Sequence, residues 1–193
     1  MHCIVISIMI STFITLNLFA NNGGPSLLAK KEAANGNWST WRGPSRDGLS
    51  AETNLLSSWQ EHKPKLAWKT KGLGNGFSSV AVADGQIYTM GQRDEVTKMI
   101  ALSTKDGTKI WETDVSSEAN DGPNSTPSVD EDRVYGLTYA GQLVCVSTIN
   151  GSILWKKHLP TDFNGKMESR WGYSESPIVD NGNLICTPGG NSA

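Results

Sequence analysis

Histidine and cysteine are scarce in this chain: three of each occur among 193 residues. His62 and His158 have no partner at metal-ligand spacing, so a zinc-type centre has no sequence support. Cys145 and Cys186 lie some forty residues apart, with no Cys-x-x-Cys and no adjacent pair, which excludes a disulfide framework. Each sits in an apolar, strand-like run and reads as a small buried hydrophobe, although one disulfide between them stays open. An excess of charge of either sign is also missing. The formal net charge is -2, and lysine and arginine are interspersed with acids, so the basic stripe that nucleic-acid binding requires is absent. There is no Gly-x-Ser-x-Gly elbow, and the Gly-rich GLGNGF at 72–77 has neither a following helix nor a Lys-Ser/Thr. It reads as the loop leading into a strand rather than a phosphate cradle. Beyond residue 37, no stretch sustains an apolar period of 3.6, so helices are not expected.

Uncharged character is confined to the start. Residues 1–20, MHCIVISIMISTFITLNLFA, contain no Lys, Arg, Asp or Glu, and the polar NNGGPS follows. This is the pattern of a secretory signal cleaved near Ala20, although His2 stands where a basic n-region is usual. A retained anchor is the alternative, at the short end of a bilayer span. Cys3 lies too early to be a lipidated cysteine at the cleavage point. Residues 21–37 read as a linker and 38–193 as the folded domain. The expected destination is the periplasm or another exported compartment, with no stable membrane span after cleavage.

What the sequence has in quantity is tryptophan and glycine in a repeating order. ALSTKDGTKIW (101–111) is echoed by CVSTINGSILW (145–155), and Trp68, Trp111 and Trp155 recur at intervals of 43 and 44 residues. A second phrase recurs with it: VADGQIYTM from Val82, VDEDRVYGL from Val129 and VDNGNLICT from Val179. Two phrases in fixed order with similar periods define a repeated unit. Short apolar runs alternate with Asp-Gly and Asn-Gly turns, which tolerate the positive φ of tight hairpins, and each unit parses into four strands. IAL and VCV are continuous apolar runs, as in strands covered on both faces. The tryptophan-bearing strand carries charges (Lys109, Glu112, Lys156, Lys157) suited to an exposed edge. Four strands with this period describe a β-propeller blade. The fold class expected is all-β, with about two and a half four-stranded blades present.

The phrase Ala-Leu-x-x-x-(Thr/Asp)-Gly-x-x-x-Trp is similar to the tryptophan-docking motif of the quinoprotein alcohol dehydrogenase-like, or PQQ-repeat, β-propellers. Ala101, Gly107 and Trp111 match it, as do Gly151 and Trp155, with Cys145 where alanine is usual. The resemblance covers roughly residues 38–193 and implies that Trp68, Trp111 and Trp155 dock blade against blade. Trp68 would belong to an outer strand of a blade completed from the far C-terminus. Family rings have seven or eight blades, so this sequence resembles the beginning of a longer protein. The family contains PQQ-dependent dehydrogenases, some polyvinyl alcohol dehydrogenase-like, and cofactor-free scaffolds such as the outer-membrane assembly lipoprotein. The first class implies PQQ and Ca2+ with a small alcohol substrate; the second implies envelope proteins as partners. The dehydrogenases hold the quinone against a disulfide of adjacent cysteines, which this segment lacks.

The loop residues most open to function are in ESRWGYSESP (168–177). Arg170 and Trp171 are candidate cofactor-binding residues and Glu175 a candidate catalytic carboxylate, with Asn124 at the corresponding place one blade earlier. Plain solvent-facing loop chemistry is the competing reading. No metal ligands are assigned. If the leader is cleaved as read, N-terminal sequencing of the protein from its native host will find a mature start near Asn21; a chain still carrying Met1–Ala20 contradicts the signal reading.

Overall fold

A computed structural model describes residues 36–190 except 62 and 119. The leader, and the linker as far as residue 35, lie outside the described residues. Two four-stranded antiparallel sheets and one hairpin follow in chain order. The first blade comprises β1 (Ala81–Ala83), β2 (Gln86–Arg93), β3 (Val96–Ser103) and β4 (Lys109–Ser117), paired in that order. The second comprises β5 (Ser128–Asp130), β6 (Arg133–Leu137), β7 (Gln142–Ser147) and β8 (Ile153–His158), again in sequence order. The third contributes its first two strands, β9 (Ile178–Asp180) and β10 (Asn183–Ile185). The blades therefore have the four-strand meander that the sequence repeats predict.

The pairing register confirms which residues are equivalent. Val82 faces Ile87, Val129 faces Val134, and Val179 faces Leu184. The third strand of each complete blade is buried along most of its length, as the continuous apolar runs require: Met99, Ile100, Ala101 and Leu102 in β3, and Leu143 to Val146 in β7. Two apolar clusters result. One joins β1–β4 to Val129, Val134, Val144 and Val146 across the first blade interface; the other joins Tyr135, Leu137 and Cys145 to Tyr173, Leu184 and Cys186 across the second.

Blade-to-blade contact at the outer rim uses one device twice. The Trp111 indole donates to the Thr148 carbonyl of the next blade at 2.9 Å, and the Thr113 hydroxyl donates to Gly151 O at 2.6 Å. The Trp68 indole donates to Thr104 O at 3.0 Å, and the Thr70 hydroxyl to Gly107 O at 2.9 Å. The turn glycines make this approach possible. A Cβ on Gly151 would meet the Trp111 ring at 2.8 Å, and one on Gly107 would meet the Trp68 ring at 2.4 Å. Both glycines have φ near +70°, which disfavours any other residue. Within each blade a tyrosine backs the indole: Tyr88 lies 5.9 Å from Trp111, and Tyr135 lies 6.0 Å from Trp155. Burial pushes both phenols up to about 12.

Around Trp68 no strand ladder forms among the described residues, and its neighbourhood pairs only through the isolated bridge of Asn75 with Gln92. Three features differ from the sequence reading. A single helical turn, α1 (Leu159–Asp162), follows β8. With Pro160 in its first turn and four residues in all, it is too short to show a helical period. The charges on β4 also do more than guard an edge: Glu112 pairs with Arg93 and with Lys109 at 3.1 Å, and Lys98 pairs with Asp114.

The third difference is an N-terminal strap. The Asn37 side chain bonds Asp84, so contacts begin one residue inside the segment read as linker. Trp38 exchanges both backbone bonds with Val82, Ser39 O accepts from Val129 N–H, and the Arg46 guanidinium donates to Val179 O at 2.5 Å. Val82, Val129 and Val179 are the equivalent residues of three successive innermost strands. The strap thus laces the inner edges of all three blades, occupying backbone groups that an edge strand otherwise leaves open.

Trp111→Ala removes an 8 % exposed indole together with its inter-blade hydrogen bond. It is expected to cost about 3–5 kcal/mol by chemical denaturation. Trp38→Ala, whose bonds to Val82 are backbone bonds, is expected to cost less, and equal small losses at both positions contradict the docking role.

Candidate functional site

The connection from β4 to β5 spans residues 118–127, whereas that from β8 to β9 spans 159–177. The longer one folds over the end of the third blade and contains Arg170, Trp171 and Glu175. Its course is fixed by bonds from the second blade. Asn124 Nδ2 donates to Trp171 O at 2.6 Å and to Ser174 Oγ at 3.1 Å. The Tyr139 hydroxyl donates to Arg170 O at 2.8 Å, and Tyr173 N–H donates to Tyr139 O at 2.9 Å. Tyr173 is the anchor: its ring is buried and its hydroxyl donates to Pro188 O at 2.8 Å.

The sequence-predicted residues divide into two groups in this frame. Arg170 lies over the Trp171 ring at 4.8 Å, and Trp171 is 59 % exposed, so this guanidinium–indole pair faces solvent. Glu175 instead lines a cavity of about 450 Å³ with Lys166, Met167, Glu168, Ser169 and Tyr173, and neither Arg170 nor Trp171 contributes to its wall. Asn124 positions the loop through the bonds just given. Sequence reading missed Lys166 and Met167, which follow the helical turn in a segment without a repeated counterpart, and singled out neither Glu168 nor Ser169 within the loop.

The Glu175 carboxylate accepts from Thr187 N–H. Burial, reinforced by that neighbouring carboxylate, pushes the Cys186 thiol far up. Burial likewise raises Cys145 to about 11. Both cysteines are buried and free. Among the described residues, no group of three or more His, Cys, Asp or Glu is placed to hold a metal ion. No helix among them is long and apolar enough to cross a membrane.

Comparison with known proteins places this geometry in a family. A family model described as "Outer membrane protein assembly factor BamB" matches residues 31–193. The chain belongs to this family of PQQ-repeat β-propellers. No curated protein matches the chain by sequence. Among solved structures, the quinohemoprotein alcohol dehydrogenase ADHIIG from Pseudomonas putida HK5 is similar at 25% identity and a TM-score of 0.63, over 85% of this chain and 24% of that one. The quinohemoprotein alcohol dehydrogenase from Comamonas testosteroni is similar at 19% identity and a TM-score of 0.57, over 81% of this chain and 24% of that one. BamB from Moraxella catarrhalis aligns over 60% of this chain and 35% of that one, at 15% identity and a TM-score of 0.46. The chain therefore spans about a quarter of the length of the two dehydrogenases. The PQQ-repeat fold is common to dehydrogenases and assembly factors, so the fold leaves the chemistry to the site.

As a test of fit to PQQ and Ca2+, the sequence-predicted residues of this PQQ-repeat chain offer the exposed Trp171 indole, the Arg170 guanidinium and the Glu175 carboxylate. They do not converge: the first two stack on each other outside the cavity that Glu175 lines. These residues do not by themselves fit the cofactor, and no redox step is derived from them. For the cysteines, burial and raised pKa predict inertness, because the thiolate is the reactive form. At pH 8, iodoacetamide should label neither Cys145 nor Cys186 in the folded chain and both after denaturation; rapid native labelling contradicts this.

Proposed function

We propose that this chain is part of an exported PQQ-repeat propeller that acts as a binding or assembly scaffold for envelope proteins. The observation that carries the reading is the Arg170–Trp171 pair. It is exposed, yet the loop beneath it is tied down by Asn124 and Tyr139. Tryptophan and arginine dominate protein-interface hot spots, and a loop already held in place loses little conformational freedom on binding. The family description, outer membrane protein assembly, supports a protein partner. The uncharged leader supports export.

A second reading is a PQQ- and Ca2+-dependent alcohol dehydrogenase with Glu175 in its site. The similarity to the Pseudomonas putida enzyme over 85% of this chain favours it. The two readings separate experimentally. A photo-crosslinker at Trp171 in the native envelope should give a discrete protein adduct that Arg170→Ala weakens several-fold. Saturable PQQ binding with alcohol-dependent dye reduction, and no adduct, supports the dehydrogenase instead.

A further inference from the structure

Glu175 stands where the two preceding blades carry serine. Four residues upstream of the equivalent valines lie Ser78, Ser125 and Glu175; eight downstream lie Met90, Leu137 and Thr187. The same bond joins each pair. Met90 N–H donates to Ser78 Oγ at 3.3 Å, Leu137 N–H to Ser125 Oγ at 3.3 Å, and Thr187 N–H to the Glu175 carboxylate. A single hydroxyl oxygen suffices for this task in two blades. The third blade performs it with a carboxylate, which has about four acceptor sites. Thr187 N–H accounts for one of them. The surplus capacity and the negative charge serve nothing in the repeat, and they lie in the wall of the 450 Å³ cavity.

Lys166 lines the same cavity, and no ion pair joins Lys166 to Glu175 or to another acid among the described residues. Glu168 lines it too, so the cavity presents two acceptor-only carboxylates and one donor-only ammonium, with no ion pair among them. We propose that it binds a neutral polyhydroxylated ligand, a sugar or polyol, with Glu175 accepting from one hydroxyl and Lys166 donating to a neighbouring one. A hydroxyl both donates and accepts, so a vicinal pair matches one carboxylate and one ammonium. Both bonds are charge-assisted, which strengthens them without charge on the ligand. The volume is in the range of small-molecule sites. Met167 and the Tyr173 ring offer apolar surface to the C–H faces of such a ligand; the Tyr173 hydroxyl is already committed to Pro188 O. A zwitterion would match charges of both signs as well, but it must shed the hydration of two ionic groups. This site is independent of partner docking, because Arg170 and Trp171 lie outside its wall.

The test titrates the full chain with glycerol, sorbitol and glucose, and separately with glycine and alanine, following the amide resonances of Thr187 and Ser174. Saturable shifts are expected with at least one polyol. Glu175→Ser restores the residue of the other blades, so it should leave the unfolding midpoint unchanged and weaken polyol binding at least about tenfold, as loss of a charge-assisted hydrogen bond implies. Lys166→Met should weaken it similarly. If Glu175→Ser loses the fold, Glu175→Gln carries the comparison, since it keeps an acceptor for Thr187 N–H and removes the charge. Absence of saturation with every polyol, unchanged affinity in both the Glu175 and the Lys166 variants, or saturation by the amino acids alone overturns the proposal.

Discussion

A four-stranded blade has two apolar faces and cannot bury either by itself, so the arrangement depends on how one blade seats on the next. At the outer rim the decisive contact is Trp111 on the turn at Gly151. The indole supplies apolar area, its N–H supplies a directed bond to Thr148 O, and the missing Cβ of Gly151 lets the ring approach the backbone. Area alone would allow the sheets to slide. The directed bond and the close approach fix one angle, and Thr113 repeats the constraint a residue further along. At the inner rim, Ser79 N–H donates to Thr126 Oγ1 at 3.3 Å, and Thr126 N–H donates to Ser176 Oγ at 2.9 Å. These three hydroxyl residues occupy equivalent places, so each blade is pinned to its successor near the axis as well as at the rim.

Pinning at two radii still leaves the innermost strands with one unpaired edge, and the strap answers that constraint. Trp38, Ser39 and Arg46 reach three equivalent valines in chain order. Two of the contacts use backbone and the third uses a long side chain, because the path from Ser39 to β9 crosses a turn at Gly43. There the Trp38 ring packs so closely that a Cβ would stand 2.8 Å from it. The strap's sequence is thereby tied to its path: a bulky residue at 43 displaces Trp38, and Trp38 holds the first of the three contacts.

Much of this was legible in the residues. The repeat of tryptophan, glycine turn and apolar strand is dictated by local chemistry, and strand boundaries followed from it. The strap was not, because WSTWRGPSRDG has no periodicity and its bonds, two through backbone and one through the Arg46 side chain, reach residues up to 133 positions away. The reading of Trp68 as an outer strand completed by a distant part of a longer chain rests on its local sequence; among the described residues its indole and the Thr70 hydroxyl dock on the Thr104–Gly107 turn. The role of Glu175 in the blade was available by stepping four residues back from each aligned valine. It escaped notice because the shared bond is made by two serines and one glutamate, which no residue-identity comparison equates.

That escape bears on how a site is recognised in a repeat protein. A polar contact recurring at equivalent positions belongs to the scaffold, whatever its burial; a contact made in one blade only has no counterpart to explain it. By this criterion the hydroxyl rungs and the indole–carbonyl bonds are structural, even though they include the buried Ser125 and Thr126. The departures gather in one region. Asn124 takes the place where the first blade exposes Phe77, and it reaches across to the loop of the third blade. That loop is nearly twice as long as its predecessor and presents Arg170 and Trp171 on its outer side. Beneath it, Glu175 brings a charge to a task that an uncharged hydroxyl performs elsewhere. Desolvating part of a carboxylate costs more than seating a serine, so the scaffold alone gives no reason for the exchange. The bond to Thr187 N–H only repeats the serines' task, and beyond it Glu175 lines the cavity together with Lys166 and Glu168.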